Sequence, residues 1–130
     1  MLSSKFIASV LGATFVLVGL LGFVPNPVVS PDGVFAVNWA HNLVHVLTGL
    51  AFLAGAWEGH ARITILAIGI AYVAVTALGF VTTGDTLLGL VHINLADRWL
   101  HALLAIAILG AWWVSDRTSV LGTPVRQKAS

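Results

Sequence analysis

Asn38, His41, Asn42 and His45 recur at three- and four-residue steps inside an otherwise apolar stretch, a spacing that puts them on one face of a helix. Asn94, Asp97, Arg98 and His101 repeat the pattern further along. Imidazoles, amides and a carboxylate gathered in this way allow four kinds of chemistry. The leading expectation is structural: the side chains hydrogen-bond across helices and cap helix N-termini, with Asn38 and Asn94 as N-caps and Asp97 at a positive helix end. Asp97 beside Arg98 then reads as an interfacial ion pair or a headgroup contact. The alternative is a metal site on His41, His45, His101 and Asp97, because three imidazoles and one carboxylate suit zinc, iron or copper. A haem is another cofactor reading, with His45 and His101 as paired axial ligands and Gly49, one turn on, leaving room for the ring. Movement of small ions or protons through a His-Asp relay comes last, since no comparable charged group continues the path through the opposite half of any span.

The elements that must hold these residues follow from composition. The chain has 130 residues, 58% apolar and 8% charged, against roughly 25% charged in soluble domains. Its mean hydropathy is +0.99, which reads as a membrane protein. The length allows one domain, and at ~20 residues per span it allows four helical crossings and little else. A large catalytic domain outside the membrane is excluded. The absence of cysteine excludes disulfides, thiolate metal sites and a cysteine nucleophile. A net charge of +1 from scattered residues gives no basic patch for nucleic acid. There is no glycine-rich phosphate loop and no Gly-x-Ser-x-Gly elbow, so a non-enzymatic role is expected.

Uncharged runs predict spans at about 6–24, 36–57, 63–83 and 96–115, followed by a flexible polar tail over 116–130. Lys5 before the first run also resembles a secretory leader, but the run exceeds the ~7–15 residues of a leader core. Lys5, Arg62, Arg117, Arg126 and Lys128 fall on one side and Arg98 on the other. That asymmetry predicts both termini in the cytoplasm, with the polar cluster in the outer leaflet of a bacterial cytoplasmic membrane. Trp57, Trp112 and Trp113 then mark the inner interface, and Trp39 and Trp99 the outer one.

The halves of the chain match each other. Phe15 to Val24 aligns with Tyr72 to Val81 at a register of 57 residues, and Val37 to His45 aligns with Ile93 to His101 after a one-residue slip. Two crossings per copy make the copies parallel, related by an axis along the membrane normal. The expected fold is therefore all-α, a four-transmembrane-helix bundle of two tandem parallel helical hairpins. Gly12, Phe15, Gly19 and Gly22, with Gly69, Tyr72, Thr76 and Gly79, form small-residue faces through which the helices approach closely.

The glycine-bearing first span, Asn38-x-x-His41-Asn42-x-x-His45 and Asn94-x-Ala96-Asp97-x-Trp99-Leu100-His101 resemble the small bacterial membrane proteins known as domain of unknown function 4383. The similarity runs from about Phe6 to Trp113 and implies a four-helix integral membrane protein without an assigned activity. Arg98 departs from the asparagine more usual in that family, which weakens its match to Asn42 and adds a positive charge beside any metal. The bilayer is the expected partner, with another membrane protein or a second copy of the chain alongside it.

Overall fold

The computed structural model describes residues 2–117. Four helices dominate it: α1 (Ser4–Leu21), α2 (Trp39–Trp57), α3 (Ala61–Val81) and α4 (Leu95–Val114). Between α1 and α2 lie β1 (Val29–Ser30) and β2 (Phe35–Ala36), and between α3 and α4 lie β3 (Thr86–Leu87) and β4 (Val91–His92). These short pairs stand where hydropathy predicts only loops. They differ in sense, β1 with β2 parallel and β3 with β4 antiparallel. The second loop reverses tightly at Leu88 and Gly89, both at positive φ, with Leu90 N donating to Leu87 O at 3.1 Å.

Local chemistry sets the helix ends. Ser3 caps α1, Asn38 caps α2 by accepting from His41 N at 3.0 Å, and Asn94 and Asp97 form a reciprocal capping box on α4. The second helix therefore begins at Trp39, because Asn38 caps it and residues 35–36 are taken by β2. Past the end of α2, Gly59 turns at φ +79° while His60 N reaches back to Gly55 O at 2.8 Å, which closes the helix and leaves three residues before α3 starts at Ala61.

Helices α1, α3 and α4 are long and apolar enough to cross a membrane. The buried faces mix small residues, Ala8, Gly12, Gly49, Ala56 and Ala105, with the large side chains of Phe15, Phe52, Ile65, Tyr72 and Ile108, whereas Leu17, Ile70, Leu103 and Ile106 are exposed. Close backbone approach of this kind holds helices together where a lipid surround supplies no hydrophobic drive. At the crossing of α1 with α2, a Cβ on Gly12 would stand 2.8 Å from Gly49 O, and one on Gly49 would stand 2.7 Å from Gly12 O. Helix α1 packs on α2, α3 packs on α4, and α3 also meets both α1 and α2; α2 and α4 meet through the rings of His41, His45 and His101.

Of the tail expected over 116–130, only Asp116 and Arg117 are described; Arg126 and Lys128 lie outside the described residues. Asp116 is tied down, its N–H donating to Leu2 O at 3.0 Å and its carboxylate accepting from Ser4 N at 2.8 Å. That bond at the α1 N-terminus, followed by the nearby Arg62 charge, holds the Asp116 carboxyl below its ordinary range.

Candidate functional site

Asn38 and Asn94 place the β-loop end of the cluster. Each accepts from the third residue of its own helix and donates across the molecule, Asn38 Nδ2 to Leu90 O at 2.8 Å and Asn94 Nδ2 to Val34 O at 2.9 Å. Asn38 Oδ1 also accepts from His92 N at 3.2 Å. The loop of each hairpin is thereby pinned to the first turn of the helix in the other.

His41 and His45, one turn apart on α2, face His101 on α4, and all three are buried. Their rings lie 4.7 Å (His41 to His45), 5.6 Å (His41 to His101) and 6.3 Å (His45 to His101) apart between centroids. One ring nitrogen from each lies within 4.8 Å of the other two. Phe15 packs edge-on against His45 at 5.5 Å, and Tyr72 stacks on His101 at 5.6 Å. Phe15 and Tyr72 also meet edge-on at 5.6 Å, so two rings from α1 and α3 flank the imidazoles.

Hydrogen bonds select the tautomers. His41 Nδ1 lies 2.6 Å from His92 O, and His101 Nδ1 lies 2.6 Å from Asp97 O. A carbonyl oxygen only accepts, so Nδ1 carries the hydrogen in both rings, and in the neutral imidazole Nε2 keeps its lone pair. His41 Nε2 is buried with no hydrogen-bond partner, and so is His45 Nδ1. Backbone carbonyls orienting imidazoles through the second nitrogen is the arrangement usual for metal-binding histidines. Tetrahedral ligands ~2.0–2.1 Å from an ion stand ~3.4 Å from one another, so the three rings would draw closer around one.

The structure gathers only part of the expected constellation. Asp97 is buried but stands outside the three-imidazole group, its Oδ2 accepting from Asn94 N at 3.2 Å in the capping box. Asn42 turns toward α1, where a Cβ on Gly22 would stand 2.0 Å from its Oδ1. Arg98 does not pair with Asp97. Its guanidinium donates to Gly79 O, Thr82 O and Gly84 O, closing the end of α3, and meets exposed Asp85 at 3.8 Å. Adjacent positions on a helix do not face each other, so Arg98 points to the unsatisfied carbonyls at the end of α3 while Asp97 stays with its own cap. Nor does Gly49 leave room for a tetrapyrrole, since it presses against the backbone of α1 at Gly12 and Val16.

Four contributors are missing from the sequence reading. The carbonyl of His92 orients His41, although His92 breaks the internal match and reads there as loop. Phe15 and Tyr72 read as packing residues only; their aligned positions in the two halves are the one signal that they meet. At the far end Arg62 donates to Trp112 O, Ser115 O and Asp116 O and lies 4.7 Å over the Trp112 ring, closing α4 as Arg98 closes α3.

The family described as Domain of unknown function (DUF4383) matches residues 5–114. The chain belongs to this family. The matched segment holds all four helices and every residue of the cluster in the DUF4383 domain. No curated protein and no solved structure matches the chain.

Proposed function

We propose that this DUF4383 protein crosses the membrane four times and binds one copper or zinc ion on His41, His45 and His101. The observation that carries this reading is the pair of unpartnered buried ring nitrogens, His41 Nε2 and His45 Nδ1, in a cluster where two imidazoles are already oriented by backbone carbonyls. An unpartnered buried polar atom is costly unless something satisfies it, and nitrogen-rich sites favour these ions. Asp97 supplies a negative charge nearby without serving as a ligand. The role is one of binding, with no catalytic step assigned.

Several observations support the architecture in this proposal. Helix α2 has 19 residues, and at ~1.5 Å per residue it is about as long as the ~30 Å hydrocarbon is thick. The reciprocal bonds of Asn38 and Asn94 join residues that correspond in the two halves, Leu90 and Val34, which favours a duplicated hairpin with an axis along the membrane normal. Lys5, Arg62 and Arg117 lie at the end opposite the cluster, and Arg98 at the cluster end is engaged by carbonyls, which favours both termini in the cytoplasm of a bacterial cell. Exposed Trp39, Trp57, Trp99 and Trp113 suit the two interfaces.

A second reading, that the cluster only ties helices together, is favoured by the capping and loop-crossing bonds of Asn38, Asn94 and Asp97. Metal analysis of purified protein in lipid nanodiscs separates the two. One ion per chain, lost in His41→Ala and His101→Ala, is expected. No bound ion at any stage, with a lowered melting temperature in the same variants, would overturn the metal reading in favour of the structural one.

A further inference from the structure

The two seams that flank the histidines differ in how they are filled. Between α2 and α3 the Tyr72 hydroxyl has Thr48 as its side-chain neighbour. Between α1 and α4 the residues corresponding to Tyr72 and Thr48 are Phe15 and Leu104, which bring no hydroxyl. A cavity of about 140 Å³ remains there, lined by Thr14, Phe15 and Val18 of α1, His45 of α2, and Leu100 and Leu104 of α4. Thr14 spends its hydroxyl on Val10 O at 2.8 Å, so His45 is the one ionisable residue in the wall.

The cavity is open on its lipid side; an enclosed one of ~150 Å³ lined by Leu, Ile and Phe stays dry and holds benzene or xenon, and this one offers a small apolar molecule a similarly apolar wall. A charged or strongly hydrated ligand would lose its water without replacement. Uncharged diatomic gases dissolve readily in hydrocarbon, and the surrounding surface of α1 and α4 is apolar. Three protein ligands leave a fourth position open on a tetrahedral ion.

We propose that an uncharged diatomic gas enters this lipid-side cavity between α1 and α4 and, when His41, His45 and His101 hold a metal ion, binds at its open position. The cavity half stands independently; the second half rests on the metal reading above. Binding is addition of a neutral ligand to the ion, with no electron or proton transferred.

The test uses the full chain in nanodiscs and two probes. Xenon, applied without metal, is expected to shift the methyl resonances of Leu100 and Leu104, and Leu104→Trp is expected to abolish the effect. Carbon monoxide, added to protein loaded anaerobically with Cu(I), is expected to give one copper carbonyl stretch in the infrared. Leu104→Trp and Val18→Trp should keep their copper but bind carbon monoxide more slowly by an order of magnitude or more, whereas Val73→Trp, on the exposed face of α3, should match the parent. No xenon response in the parent, or magnetisation transfer from lipid acyl chains to Leu104 in its place, would overturn the proposal. So would carbon monoxide binding at unchanged rate in both cavity-filling variants. Xenon uptake in protein that binds no copper would uphold the cavity and overturn the metal reading alone.

Discussion

The first hairpin, α1 with α2, and the second, α3 with α4, meet the same packing problem with different side chains. At the β-loop end, Asn42 leans on Gly22 in the first, and Arg98 reaches past the corresponding Gly79 in the second to take three carbonyls. At mid-depth the first hairpin joins backbone to backbone at Gly12 and Gly49, while Gly69 in the second faces the flexible end of Leu109. The first hairpin is held by close approach and the second by arginine caps, Arg98 on α3 and Arg62 on α4. Two helix pairs of similar layout are thus held together by different interactions.

The largest expected effect comes from filling the corresponding glycines. Gly12→Ala should cost ~1–3 kcal/mol, because the added methyl meets the Gly49 carbonyl at 2.8 Å and backbone must move. Gly69→Ala should cost clearly less, since its nearest neighbour is the Leu109 Cδ2 methyl at 2.6 Å, which can rotate away. Reversible unfolding of both variants in mixed detergent measures the difference, and equal costs would break the contrast. Next comes Arg98→Asn, which makes the second hairpin resemble the first. It leaves the Gly79, Thr82 and Gly84 carbonyls without their cation and should lower stability by ~1–3 kcal/mol in the same assay.

Smaller still is Tyr72→Phe, which gives the α2–α3 seam the ring that α1 carries. Removing the hydroxyl beside Thr48 should cost ~0.6–1 kcal/mol and open the seam to xenon, read from Thr48 methyl shifts. Asp116→Asn should have the least effect. The folded-state carboxyl is held below its ordinary range, so its stabilising contribution is complete above that range and disappears as pH falls through the lowered folded value. Melting curves of parent and variant should therefore differ slightly near neutral pH and converge in acid.

Much of this was legible before the structure. The helices, the two asparagine caps and the facing of His41, His45 and His101 follow from hydropathy, three- and four-residue spacing and the internal match. Asp97 stands at the positive helix end expected of it, in a capping box with Asn94; its pairing with Arg98 and its place among the imidazoles are what the structure does not show, and the reason is shared. Their spacing places them on the right helix turn, but a carboxylate at the third position of a capped helix is drawn back to its own N-terminus, and a long guanidinium goes to the strongest unsatisfied acceptors within reach. The role assigned to Gly49 failed because the helix that fills the space beside it belongs to another part of the chain.

What the chain determined by itself is its apolar character, its helix period and its choice of polar residues, because these depend on side-chain type and on neighbours a few positions away. Which imidazole nitrogen is left without a partner, which helix end each arginine closes and which seam stays open were decided by tertiary contacts. Those outcomes depend on carbonyls and rings brought together from both halves of the chain, and hydrogen bonding and packing act on distance in space, not on separation in sequence.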